Sequence, residues 1–219
     1  MAAPAPSTDG TLAMLLTLAD SRLPVGGHVH SGGVEQAIAD GAVADAAGLE
    51  AYLRRRIVTG ALVAGSIAAA VADGRLTPAE AQVETDARTP SSAARAASLA
   101  QGRGMVRLAR RRWPDHDFTG HTPRSHLPVI AGTVGSLCGM SGRHVALVHV
   151  YTAMTGSATA GQRLLALDPA DVAMITMDLA ELCVQTADAA AADLADLSDP
   201  VYDVLAERHE RRDMPLFAS

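Results

Sequence analysis

Lysine is absent from the 219 residues, so arginine is the only strong base, and 18 basic against 24 acidic side chains give a formal charge of −6. That balance excludes broad electrostatic capture of nucleic acid or an anionic membrane, while a local arginine patch can still meet an acidic protein. It also removes the ammonium that reaches phosphates in nucleotide-hydrolysing loops, so Gly26-Gly27 and Gly32-Gly33 are expected to shape turns. The only two cysteines, Cys138 and Cys183, do not outline a secreted disulfide framework, and a reducing cytoplasm fits them best. The opening MAAPAPSTDG lacks a basic n-region and is expected to be a flexible arm over residues 1–10. Leu62 to Val71 is apolar but falls short of the roughly 20 residues that span a bilayer.

Catalytic and metal-binding patterns are equally sparse. There is no H-E-x-x-H and no compact cysteine–histidine cluster, and Gly156 to Gly161 is not a dinucleotide fingerprint. His28 and His30 are the first metal candidates, because alternate residues share a side in an extended segment, yet two imidazoles do not close a site. The acid pairs Asp193/Asp196 and Glu207/Glu210 have helical spacing but no companion nucleophile. The chain is therefore expected to work by binding, with no catalytic residue and no intrinsic cofactor.

What is present in quantity is alanine, at 44 positions, against only six aromatic residues. Small side chains favour helices that approach closely, and the length suits one domain. The expected fold is an all-α, single-domain multi-helix bundle. Leu49, Leu53, Ile57, Val63, Ile67 and Val71 recur at helical spacing from Ala47 to about Ala72, with Arg54 and Arg55 expected toward solvent. Thr77-Pro78-Ala79-Glu80 combines a cap residue, a first-turn proline and an acid three places after the cap. A second stripe, Val172, Ile175, Leu179, Leu182, Cys183, Thr186 and Ala190, predicts a late helix from Val172 to about Ala195. Asp199-Pro200 opens a last helix in which Val201, Val204 and Leu205 are expected to pack. Charge is uneven: residues 164–206 hold nine acids and no base, whereas residues 103–124 hold six arginines and two aspartates. Either face is solvated or meets a partner.

One segment is more specific. Leu15 to Glu35, reading LLTLADSRLPVGGHVHSGGVE, resembles the opening helix, Leu-Pro-hydrophobic-Gly-Gly turn and Ser-x-Gly-hydrophobic-Glu segment of the urease accessory protein UreF family. GSATAGQRLL at Gly156 to Leu165 and the tail Arg211 to Phe217 add to the likeness, which covers essentially the chain after residue 11 and looks actinobacterial. The resemblance implies an all-helical, dimer-forming maturation factor that bridges the UreD or UreH scaffold and the GTPase UreG on apo-urease. Nickel and GTP would then be handled mainly by those partners. It also implies a helical domain over 11–206 and a partner-binding tail over 207–219.

Family correspondence marks Gly26, Gly27, Ser31, Gly32 and Glu35, with the glycines shaping backbone and Glu35 either a polar contact or a structural residue. Gly161, Gln162 and Arg163 continue the later motif, the two polar side chains meeting a partner or capping a turn. Arg211, Arg212 and Phe217 fall in a tail of the kind used in scaffold recognition. Many relatives have aromatics where His28 and His30 stand, and the resemblance implies that the two histidines tune partner contact or pH response, with loop hydrogen bonding as the structural alternative. At Tyr151 to Ser157 the chain reads YTAMTGS, so the family's usual arginine and first glutamine do not carry over. The alternative function is a helical adaptor for maturation of a different metalloenzyme.

Overall fold

The computed structural model describes residues 8–25, 30–122, 124–212 and 216–217. Its helices are α1 (Thr8–Ala19), α2 (Val34–Ala39), α3 (Ala46–Arg56), α4 (Leu62–Ala72), α5 (Pro78–Arg88) and α6 (Ser92–Arg112). They continue as α7 (Leu127–Leu137), α8 (Gly142–Leu165), α9 (Pro169–Asp178), α10 (Ala180–Ala192) and α11 (Pro200–Glu210). No strand occurs among the described residues, so the fold is the expected all-α bundle.

The apolar run that looked longest in the sequence sits at the centre. Helix α4 packs against α7, α8 and α10, while α6 lies on α7 and α11, and α2 on α8 and α11. Alanine makes these approaches close: Ala69, Ala146, Ala187 and Ala190 form one fully buried contact between α4, α8 and α10. The main core gathers Leu49, Leu53, Ile57, Val150, Met154 and Leu179, so the first hydrophobic stripe is buried as its spacing predicts. Helices α3 and α4 run on from one another, and Ala46–Ala72 is long and apolar enough to cross a membrane by length and composition alone. More than half of its most apolar window is instead covered by the surrounding helices.

Local signals account for most boundaries. The side chain of Thr77 accepts from the Glu80 amide at 3.3 Å, and Glu80 accepts from the Thr77 amide at 2.8 Å, which closes the capping box ahead of Pro78. Thr77→Ala should therefore cost about 1 kcal/mol and lower the thermal midpoint by roughly 2–4 °C. Scanning calorimetry checks this, and an unchanged midpoint would show that packing alone holds the start of α5.

Val145 to Tyr151 lies inside α8, which runs unbroken through Gly156 to Leu165. Three expectations need correction. The late helix breaks at Leu179 into α9 and α10, although Val172, Ile175, Cys183, Thr186 and Ala190 are buried as the stripe required. Val201 and Val204 are about half exposed, and only Leu205 of that trio is buried. Arg55 does not face solvent: it pairs with the buried carboxylate of Asp199 across a single π turn, Ile57–Ala61, between α3 and α4. Thr59 donates to Asp199 Oδ2 at 2.8 Å from within that turn. Gly60 also lies in the turn, and a Cβ built on it would stand 3.2 Å from the same carboxylate.

Candidate functional site

The SGG turn places Ser31, Gly32 and Glu35 against the C-terminal half of α8 and the far end of the chain. Gly32 and Gly33 have φ of +62° and +87°, a backbone region that side chains disfavour. A Cβ on Gly32 would also stand 2.7 Å from the Arg56 guanidinium and from Ser157 Oγ. Two hydroxyls fix the turn's carbonyls: Tyr52 donates to Gly32 O at 2.6 Å and Ser157 donates to Ser31 O at 3.0 Å. Tyr52 is buried, and burial pushes its phenol up to about 12, so it remains a donor at any physiological pH. The Arg56 guanidinium lies over the Tyr202 ring at 4.9 Å, which brings α11 to the same place.

Glu35 is 3% exposed and its carboxylate accepts three hydrogen bonds. They come from His209 Nε2 at 2.9 Å, the Leu216 amide at 2.9 Å and the Phe217 amide at 3.0 Å. Burial pushes the carboxyl up, but the His209 hydrogen bond followed by the two amides outweighs it, leaving Glu35 below the ordinary glutamate value. Phe217 packs against the main core. Nearby, Arg208 on α11 pairs with Asp40 at 2.8 Å. One carboxylate thus ties the opening motif to α11 and to the terminal segment, 182 positions along the chain.

The later motif divides by role. Gly161 is buried, and a Cβ there would stand 2.6 Å from Leu49 Cδ1, so its place is set by the α3–α8 approach. Gln162 contributes its carbonyl, which accepts from Leu167 N at 3.0 Å as α8 ends on Ala166 in the left-handed region. Arg163 is exposed. It lines, with His30, Gly32, Arg56, Ser157 and Phe217, part of a cavity of about 510 Å³ that continues between α4, α7 and α8. Arg211 is exposed and Arg212 half-buried just past α11. Gly26, Gly27 and His28 lie outside the described residues.

Metal chemistry finds little to work with in this part of the molecule. Among the described residues no three histidine, cysteine, aspartate or glutamate side chains gather as a ligand set. His121 meets Thr133 Oγ1 at 2.9 Å and His126 meets Asp86 at 3.1 Å. His149 is buried, and burial alone pushes it down to about 4, so it is neutral. Burial pushes the Cys183 thiol up to about 11, where thiolate chemistry is suppressed at neutral pH, and it sits 3.7 Å from Met154 Sδ.

Sequence reasoning missed Tyr52, Arg56, Ser157, Tyr202 and His209 as members of this constellation. Tyr52 carried a usable signal: a tyrosine on an otherwise apolar helical stripe needs a hydrogen-bond partner once buried. His209 carried none, since its partner is 174 positions away.

Comparison with known proteins matches the same regions. The UreF family model matches residues 25–180. The urease accessory protein UreF of Mycobacterium marinum is 62% identical over 209 residues, covering 95% of this chain and 99% of that protein. The proteins of that name from Mycolicibacterium vanbaalenii and Mycobacterium tuberculosis strain H37Rv are 61% and 60% identical, with the same coverage of both chains.

Proposed function

The chain belongs to the UreF family, and from that premise we propose that it is a non-enzymatic urease maturation factor. It bridges the UreD or UreH scaffold and the GTPase UreG, so that GTP-dependent nickel insertion into apo-urease can proceed. Nickel is the cargo of the assembly, and GTP chemistry belongs to UreG. The protein acts in the cytoplasm as a homodimer, and its contribution is surface and geometry.

The observation that carries this reading is a family match extending over nearly the whole chain. The geometry supports it. The Glu35 clamp holds the terminal segment in a defined place, so that Arg211 and Arg212 are presented from a fixed base. Gly161 and Gln162 shape the end of α8 and leave Arg163 free to meet a partner. The Glu35 carboxylate and the imidazoles of His121, His126 and His209 are engaged in holding structural elements together, which suits a binding protein.

The test is urease activation in a strain deleted for this gene, with empty vector against wild-type complementation and nickel measured in the purified urease. Restored activity together with restored nickel is the expected result. Full nickel loading and activity without the gene would overturn the proposal.

A further inference from the structure

Ten of the 18 arginines make no ion pair among the described residues, and six of those ten lie between Arg103 and Arg124. The other eight each have a carboxylate within 4.0 Å, so the concentration on α6 is not a general property of this surface. Arg103, Arg107, Arg110 and Arg111 recur at spacings of three and four, which puts them along one face of the helix. All four are exposed, whereas Met105, Val106 and Ala109 on the opposite face are buried against α7. The two nearby acids do not answer them. Asp117 accepts from the amide and hydroxyl of Thr119 at 2.8 and 3.0 Å, and exposed Asp115 joins no ion pair.

Like charges at i,i+4 repel along a helix. The helix dipole offsets that repulsion only in the last turn, where Arg110 to Arg112 stand, and leaves Arg103 and Arg107 uncompensated. At the end of the stripe Arg112 lies over the Trp113 ring at 5.2 Å, a half-buried aromatic of the kind that anchors protein interfaces. We propose that the outer face of α6 is a docking surface for an acidic protein segment, whose carboxylates pair with Arg103, Arg107, Arg110 and Arg111.

The chemistry favours protein over the other polyanions. A net charge of −6 disfavours broad capture of a long nucleic acid or an anionic bilayer. The stripe spans only about 12 Å of helix, which suits two turns of an acidic helix. Guanidinium forks match carboxylates bidentately, a match that lysine would not supply. The surface is separate from the Glu35 clamp and stands whether or not the maturation reading holds.

The full-length protein would be titrated with a fluorescent 18-residue helical peptide carrying glutamates at i, i+4, i+7 and i+8. A peptide of the same composition, with those glutamates dispersed around the helix, is the comparison. The in-register peptide should bind at least about tenfold more tightly at low salt. The R103E/R107E/R111E variant should lose about tenfold, the sum expected of three exposed ion pairs. R103Q/R107Q/R111Q should lose less, and R22E/R54E/R143E, with the same change in net charge, should lose little. Far-ultraviolet circular dichroism confirms that each variant is folded. Equal binding of the two peptides, or an equal loss in the control triple, would reduce the surface to bulk charge and overturn the proposal. So would tighter binding of a 12-nucleotide single strand or of phosphatidylserine vesicles than of the in-register peptide.

Discussion

Replacing Glu35 with alanine should lower the unfolding free energy by about 3 kcal/mol, because it strands three buried donors at once. The His209 ring N–H and the amides of Leu216 and Phe217 all point at the carboxylate that is removed. The terminal segment is the softest of these to give way, so limited proteolysis should clip the tail of the variant before the helical body. Glu35→Gln keeps the volume and one acceptor oxygen but turns an amide toward donors, and should cost about half as much. Complementation by Glu35→Ala should fail to restore urease activity even where the protein accumulates. A variant with wild-type melting and wild-type tail protection would show that the clamp holds nothing.

The clamp also predicts a pH dependence with a definite sign. Glu35 titrates below its ordinary value when folded, so the unfolded state binds the proton more readily. Its contribution to stability is therefore complete above the ordinary glutamate range and is lost as the pH falls through the lower folded value. The gap in thermal midpoint between wild type and Glu35→Gln should be constant near neutrality and close under acid, below that ordinary value. A gap that stays flat through the acid range would remove Glu35 from the ionised role.

The second large effect concerns Gly102 in α6. An added methyl would lie 1.9 Å from the Ser125 carbonyl oxygen and 3.0 Å from the His126 carbonyl carbon, both backbone atoms. A helix-interior glycine ordinarily gains about 1 kcal/mol on becoming alanine. Here the overlap reverses the sign, and Gly102→Ala should destabilise by about 2–3 kcal/mol net. Gly65 in α4 is the contrast, since its added Cβ meets its nearest atoms at 3.6 Å, an ordinary contact. Gly65→Ala should be neutral to stabilising by about 1 kcal/mol. Denaturant unfolding of both variants decides the matter, and a Gly102→Ala protein as stable as wild type would mean that the α6–α7 approach is slack.

These contrasts show why part of the molecule was legible from sequence and part was not. The capping box at Thr77, the burial of Leu49 through Val71 and the stripe on α10 depend on neighbours within a turn or two, where spacing is sufficient information. The break at Leu179 was invisible because Val172 to Ala190 keeps a helical period on both sides of it. Val201 and Val204 misled for a related reason: the turn of helix that should have buried them is oriented by Asp199, whose partners Arg55 and Thr59 are 144 and 140 positions away. The site followed the same division. Family likeness marked Ser31, Gly32 and Glu35, but the tyrosines, Arg56 and His209 that hold them are brought in by tertiary contact, which no local pattern encodes.

The π turn at Ile57–Ala61 has a consequence for phase. A wider turn takes in one residue beyond the regular helical count, and each residue advances a helix by about 100°. Because the wider turn absorbs that residue within one revolution, everything from Leu62 onward keeps the phase of α3. Regular winding through Ile57–Ala61 with the residue retained would turn α4 by that angle, carrying Ile67 away from the interior, whereas deleting one position there would restore regular winding and leave Ile67 facing inward. Arg55, Thr59 and Asp199 stand where that excess is accommodated, so the ion pair sits at the turn that lets the two halves of the long helix stay in step.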